Sequence, residues 1–234
     1  MDKHLQREIS QFPLFARDFN ISSTTLHDYQ ASMTPYVLEE RELRATQMDV
    51  FSRLMMEKII WVAGVVDDRM STIVQAQLIF LDSIAQGSKK DITMHIDSPG
   101  GSVKSGLSMV DVMQYIDTDI ITINTGMAAS MGSVLLGAGT KGKRSSLRFS
   151  RTMLHQSSGG AGGNIQDARI AMIEWEKYNK ILFTLLGEFC DKPYEQVLAD
   201  AERDNWLDAE AAKEYGIIDE IISKKTPKKE KKKS

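Results

Sequence analysis

Residues 91–125 read DITMHIDSPGGSVKSGLSMVDVMQYIDTDIITINT, and their pattern decides the fold class. Residues 91–97 alternate as a strand does. Ser98-Pro99-Gly100-Gly101 is a tight-turn sequence. Val103, Leu107, Val110, Met113 and Ile116 then recur at helical spacing, and residues 119–125 return to strand character. Strand, turn, helix and strand within 35 residues predict an α/β fold with parallel strands.

The same alternation extends outward. Met48, Phe51, Leu54 and Met55 have helical spacing, IIWVAGVV at 59–66 is an apolar strand, and residues 70–85 form a helix stopped by Gly87. A small-residue helix is expected over about 128–138, and short strands near 144–149 and 152–156. SSGGAGG at 157–163 is a glycine ribbon. A long amphipathic helix follows over 165–189, capped by Asn164 and striped with Ile165, Met172, Trp175, Leu182, Leu185 and Phe189. Such a stripe is a core or subunit-interface feature. Lys192-Pro193 restarts a short helix, Asp208 caps another that Gly216 ends, and residues 217–222 give a last strand.

The 234 residues are 42% hydrophobic and 26% charged, ordinary globular composition. Cys190 is the single cysteine, so no internal disulfide and no cysteine-based metal site forms, which fits a reducing, cytoplasmic setting. No apolar run is long enough for a membrane span, and residues 1–31 lack a secretory pattern. Seven lysines and one glutamate give residues 224–234 a charge of +6, leaving −9 on the rest. An acidic body with a basic tail is not the footprint of a nucleic-acid binder.

Ser130 lies in GMAASMG at 126–132, between an apolar strand and a helix. That turn exposes a hydroxyl among small neighbours, close to free helix amides. Ala128 replaces the first glycine of the GxSxG elbow, so the local sequence suits a packing serine as well. A nucleophilic serine needs a base. Of four histidines, His4 and His27 fall in the irregular N-terminal segment and His95 falls mid-strand. His155 ends a strand beside the glycine ribbon. A carboxylate must orient the imidazole. AERDNW at 201–206 offers Asp204, with Asp200, Glu202 and Asp208 in competition. Two backbone donors for an oxyanion are available from Met131 and from the Pro-Gly-Gly turn.

IDSPGG at 96–101, GMAASMGS at 126–133, GTKGKR at 139–144, MLHQ at 153–156 and AERDNW at 201–206 occur in this order. Together they resemble the Clp serine peptidase family from about Ser32 to Ser223. The resemblance implies a Clp protease/crotonase-like spiral of β-β-α units with a protruding handle helix. It implies a Ser130, His155, Asp204 triad and an oxyanion hole at Gly101 and Met131. It also implies peptide binding by strand addition at Gly100, Gly159 and Gly160, and a ring–ring contact at Arg203. No cofactor or metal is implied.

The expected activity is endopeptidase cleavage of unfolded polypeptides inside two stacked seven-membered rings. A separate AAA+ unfoldase ATPase would feed the chamber, since GTKGKR is not a phosphate-binding GxxxxGK[ST] motif. Closed rings shield other proteins from a broad peptidase. The expected divisions are an extension or propeptide at 1–31, removed near Ala31, a peptidase domain at 32–223, and a lysine-rich tail at 224–234. Departures from relatives include Thr93 and His95 at surface aromatic positions, Ser157 for a proline, and SLRFS at 146–150. The competing expectations are a crotonase-like acyl-CoA enzyme and a non-catalytic ring subunit.

Overall fold

The computed structural model describes residues 36–41, 44–85, 90–157 and 164–223, with side chains from residue 49 onward. The expected extension at 1–31 and tail at 224–234 lie outside the described residues, as do Gly159 and Gly160. A hairpin of β1 (Tyr36–Arg41) and β2 (Arg44–Asp49) precedes helix α1 (Val50–Met55). Met48 is therefore in a strand, and the helix begins after Asp49, whose carboxylate caps it.

Three sheet–helix units follow. They are β3 (Ile59–Val66) with α2 (Asp68–Ser83), β4 (Ile92–Gly101) with α3 (Val103–Tyr115), and β5 (Ile120–Ala129) with α4 (Met131–Gly137). All three strands are parallel. Their inward residues, including Ile60, Val62, Ile92, Met94, Ile96 and Ile120, are buried with Ile73, Leu78, Leu81, Met109 and Leu135. Each fully buried side chain of this size stabilises the fold by about 1.5–3 kcal/mol.

The predicted alternation is present, but the strands run further than expected. Ser98-Pro99-Gly100-Gly101 continues β4 and pairs with β3 through Val65↔Gly100 and Val66↔Gly101. A register shift at Gly64 gives β4 one extra residue there. Between Ile96 and Ser98 the pairing with β5 also shifts, leaving β5 two extra residues. The Asp97 carboxylate fills that gap by accepting the Met127 amide at 3.0 Å. Bulges of this kind redirect strand ends. Here they carry β5 to Ala129, so α4 starts at Met131, later than the pattern predicts.

Strand β5 is shared by two successors. Its first half pairs with β6 (Arg144–Leu147), and its second half with β7 (Arg151–Leu154). Strand β7 also pairs antiparallel with β8 (Asn205–Leu207), while β6 pairs with β9 (Glu220–Ile222). Between them lie α5 (Ile165–Cys190), α6 (Tyr194–Asp200) and α7 (Ala209–Tyr215). Asn164 and Asp208 cap α5 and α7 as predicted, and Gly216 ends α7 in the left-handed region.

Helix α5 is about 39 Å long at 1.5 Å per residue. Its stripe does not form one buried face. Leu182, Phe183 and Leu186 are buried, whereas Ile165, Ile170, Met172 and Ile173 are more than half exposed. The C-terminal part packs on the body and the N-terminal part projects. Among the described residues no helix is long and apolar enough to cross a membrane.

Arg144 locks the far end of the sheet. Its side chain is 1% exposed, and it donates to Asp219 at 2.6 and 2.9 Å and to the carbonyls of Phe189 and Gly216. Burial pushes the Asp219 carboxyl upward, but bonds from Arg144 and the Gly142 amide outweigh it and hold its pKa below 3.8. Arg144→Met strands that carboxylate and is expected to cost about 3–5 kcal/mol, read as an earlier midpoint in chemical unfolding. Because the folded pKa is depressed, the pair's contribution is complete above the ordinary carboxylate pKa and is lost as pH falls through the lowered value. Asp219→Asn is expected to flatten the acid limb of the stability–pH curve.

Candidate active site

The end of β5 places Ser130 at φ 54°, ψ −123°, outside the regions a non-glycine residue prefers. Such backbone costs on the order of 1–3 kcal/mol and persists only where its surroundings over-determine it. They do so here. The Ser130 amide donates to the Met153 carbonyl of β7 at 2.9 Å. Its carbonyl accepts the Ser133 hydroxyl at 2.6 Å and the Ser133 amide at 2.9 Å. The side chain caps no helix amide, so the hydroxyl is not spent on the fold.

The end of β4 packs directly on this elbow. A Cβ at Gly100 would lie 2.6 Å from the Ser130 Cβ and 2.9 Å from the Met131 amide nitrogen. A Cβ at Gly132 would lie 2.8 Å from the Ser98 carbonyl oxygen. Only glycine permits both approaches. Gly100 and Gly101 have φ of 89° and 151°, a second reason for glycine at these positions. Ser98 was not singled out from the sequence, yet it fixes this segment. Its buried hydroxyl donates to the Gly64 carbonyl at 2.6 Å and accepts the Gly100 amide at 3.1 Å.

The Ser102 amide donates to the Val66 carbonyl of β3. Met131 is the first residue of α4, where the amide has no intrahelical acceptor. An amide so placed is available to a developing negative charge.

Strand pairing brings in the imidazole and the carboxylate. In the β7–β8 ladder Thr152 faces Leu207, Met153 faces Trp206 and Leu154 faces Asn205. The next pair in that register is His155 and Asp204. The His155 Nδ1 lies 3.3 Å from an Asp204 carboxylate oxygen, with side chains 25% and 65% exposed. Register therefore selects Asp204 from its acidic neighbours. Asp208 is committed as the α7 cap, and Asp200 accepts a hydrogen bond from Gln196. With Nδ1 turned to Asp204, Nε2 is the ring nitrogen left for a reacting group.

Gly101, Ser130, Met131 and His155 line one cleft with Ser157. Its apolar wall includes Val103, Val134, Leu182 and Phe183. Arg203 is exposed beside Asp204. His95 is elsewhere, stacked on the Trp61 ring at 4.8 Å, and burial lowers its pKa. The buried Cys190 thiol, outside the cleft lining, is pushed up to about 11 by burial. Among the described residues no group of three or more His, Cys, Asp or Glu side chains is placed to hold a metal ion.

The family model for Clp protease matches residues 40–225. A Bacteroides fragilis protein named ATP-dependent Clp protease proteolytic subunit is 52% identical over 193 residues, covering 82% of this chain and 92% of the relative. The Bacteroides thetaiotaomicron protein of that name is 51% identical over 193 residues, covering 82% and 87%. The Porphyromonas gingivalis protein of that name is 48% identical over 221 residues, covering 92% and 99%. A sheet that gathers the sequence motifs at one cleft and identity of this extent lead to one conclusion: the chain belongs to the Clp protease family and is a serine endopeptidase of the α/β Clp/crotonase-like fold.

Proposed function

We propose that this chain hydrolyses peptide bonds through Ser130, His155 and Asp204, with oxyanion donors at Gly101 and Met131. The observation that carries the assignment is the β7–β8 register, which sets His155 against Asp204 at the cleft holding Ser130. His155 takes the Ser130 proton as the hydroxyl attacks the peptide carbonyl. The tetrahedral oxyanion is held by the Gly101 and Met131 amides. His155 then protonates the leaving amine, and water hydrolyses the acyl-enzyme by the same proton path in reverse. Asp204 fixes the imidazole tautomer and stabilises the imidazolium. A crotonase-like acyl-CoA reaction would use the two amides and leave the His155–Asp204 pair without a task. A non-catalytic ring subunit would leave all three side chains without one.

The relatives' name contains the words ATP-dependent, and the sequence carries no GxxxxGK[ST] motif. We therefore assign ATP use to a separate AAA+ unfoldase that delivers unfolded polypeptide. We further propose two stacked rings of seven subunits with α5 and Arg203 at the ring–ring contact; the exposed apolar half of α5 supports a subunit contact there. The buried lone cysteine supports work in a reducing compartment such as the cytoplasm. Gly100, Gly159 and Gly160 are assigned to substrate binding, the last two lying outside the described residues.

Ser130→Ala is expected to cut turnover of a short fluorogenic peptide by at least about a thousandfold, with assembly unchanged in analytical ultracentrifugation. Full activity in that variant sinks the assignment. The apolar cleft wall makes a second expectation. Peptides with Leu or Met before the cleaved bond should show kcat/KM at least about tenfold above those with Asp there, since a carboxylate loses its hydration in that pocket. Equal values for the two peptides would place substrate side chains outside this cleft.

A further inference from the structure

The His155–Asp204 approach of 3.3 Å is longer than a charge-assisted hydrogen bond of about 2.7–2.9 Å, and Asp204 is largely exposed. The carboxylate alone is therefore a weak anchor for the imidazole. What holds the segment lies two residues on. The Trp175 indole Nε1 donates to the Ser157 hydroxyl at 2.8 Å, and that hydroxyl lies 2.8 Å from the Asn179 amide oxygen. An indole N–H can only donate, so the Ser157 oxygen accepts, and its single proton goes to Asn179. Gln156, between the two, is tied on the other side by its amide to the Ala201 carbonyl at 3.0 Å.

Trp175 and Asn179 are one turn apart on α5. The next turns of the same face carry Leu182, Phe183 and Leu186, which wall the cleft. Nothing in the fold requires a polar link here, since α5 is already anchored by buried Leu182, Phe183 and Leu186. The link instead joins the strand end bearing His155 to the helix face forming the pocket.

We propose that Ser157 is a positioning residue for peptide hydrolysis. Its hydroxyl latches the His155 segment to the α5 face that walls the cleft, so base and pocket keep one relative position. The inference rests on Ser130–His155 chemistry at this cleft. It assigns Trp175 and Asn179 to the same latch.

The test uses the full chain in its assembled state. Ser157→Ala and Trp175→Phe are each expected to lower kcat on a fluorogenic peptide about tenfold, the worth of one well-placed hydrogen bond, with KM changed less than about twofold. Labelling of Ser130 by a fluorophosphonate should slow in proportion. Ser157→Thr, which keeps a hydroxyl, should restore most of the rate. The double variant should be no slower than either single one, because both remove the same link. Unchanged kcat with a lowered melting temperature overturns the proposal, as does a double variant whose losses multiply. If Ser157→Ala fails to assemble, Trp175→Phe carries the test alone, since it keeps an aromatic ring while removing the N–H donor. Full activity in Ser130→Ala, with Ser157 and Trp175 unchanged, would overturn the underlying chemistry instead, and the latch with it.

Discussion

The site depends on one constrained backbone. Ser130 is held at a positive φ because its amide reaches the Met153 carbonyl while its own carbonyl is taken by Ser133. The first bond is available only because β5 changes partner along its length, from β6 to β7. Without that division, the strand would end against β6 and the serine would not sit beside the strand that carries His155. The strain is thus offset by sheet pairing, and the hydroxyl is left free of structural duty.

The same division sets the rest of the site by register. Strand β7 supports Ser130 on one edge and pairs with β8 on the other. Ser130, His155 and Asp204 are spread over 75 residues, yet two ladders fix their positions. On the opposite side, the Gly64 bulge and the Ser98 hydroxyl shape β4 so that Gly100 fits against Ser130. A one-residue slip in either ladder would turn the paired side chains to the other face.

The α/β class, the order of elements from β3 to α6 and both helix caps were legible in the sequence, because periodicity and capping chemistry are local; the β1–β2 hairpin and the three-residue β8 were not read. Strand ends were not. The Pro-Gly-Gly segment reads as a turn, and only its pairing with Val65 and Val66 makes it strand. Likewise Met48 fits the helical spacing, but the β1–β2 pairing claims it. Ser130 and His155 could be nominated from their placement at strand ends. The choice among Asp200, Glu202, Asp204 and Asp208 could not be made by spacing, because it is a property of the β7–β8 register. Ser98 and the Ser157–Trp175–Asn179 link were invisible for the same reason. Their partners lie 34, 18 and 22 residues away, and no local pattern announces them.

Helix α5 ties these parts to the proposed assembly. Its buried end forms the cleft wall, its middle holds Ser157, and its projecting half exposes isoleucines and a methionine. A surface of that kind gains from being covered, at about 25 cal/mol per Å² of apolar area. Covering Asp204 as well would strengthen its pairing with His155, since Coulomb attraction grows as water is excluded. In the chain by itself, the exposed Asp204 carboxylate is thus the weakest joint of the cleft, and whatever covers it would tighten it.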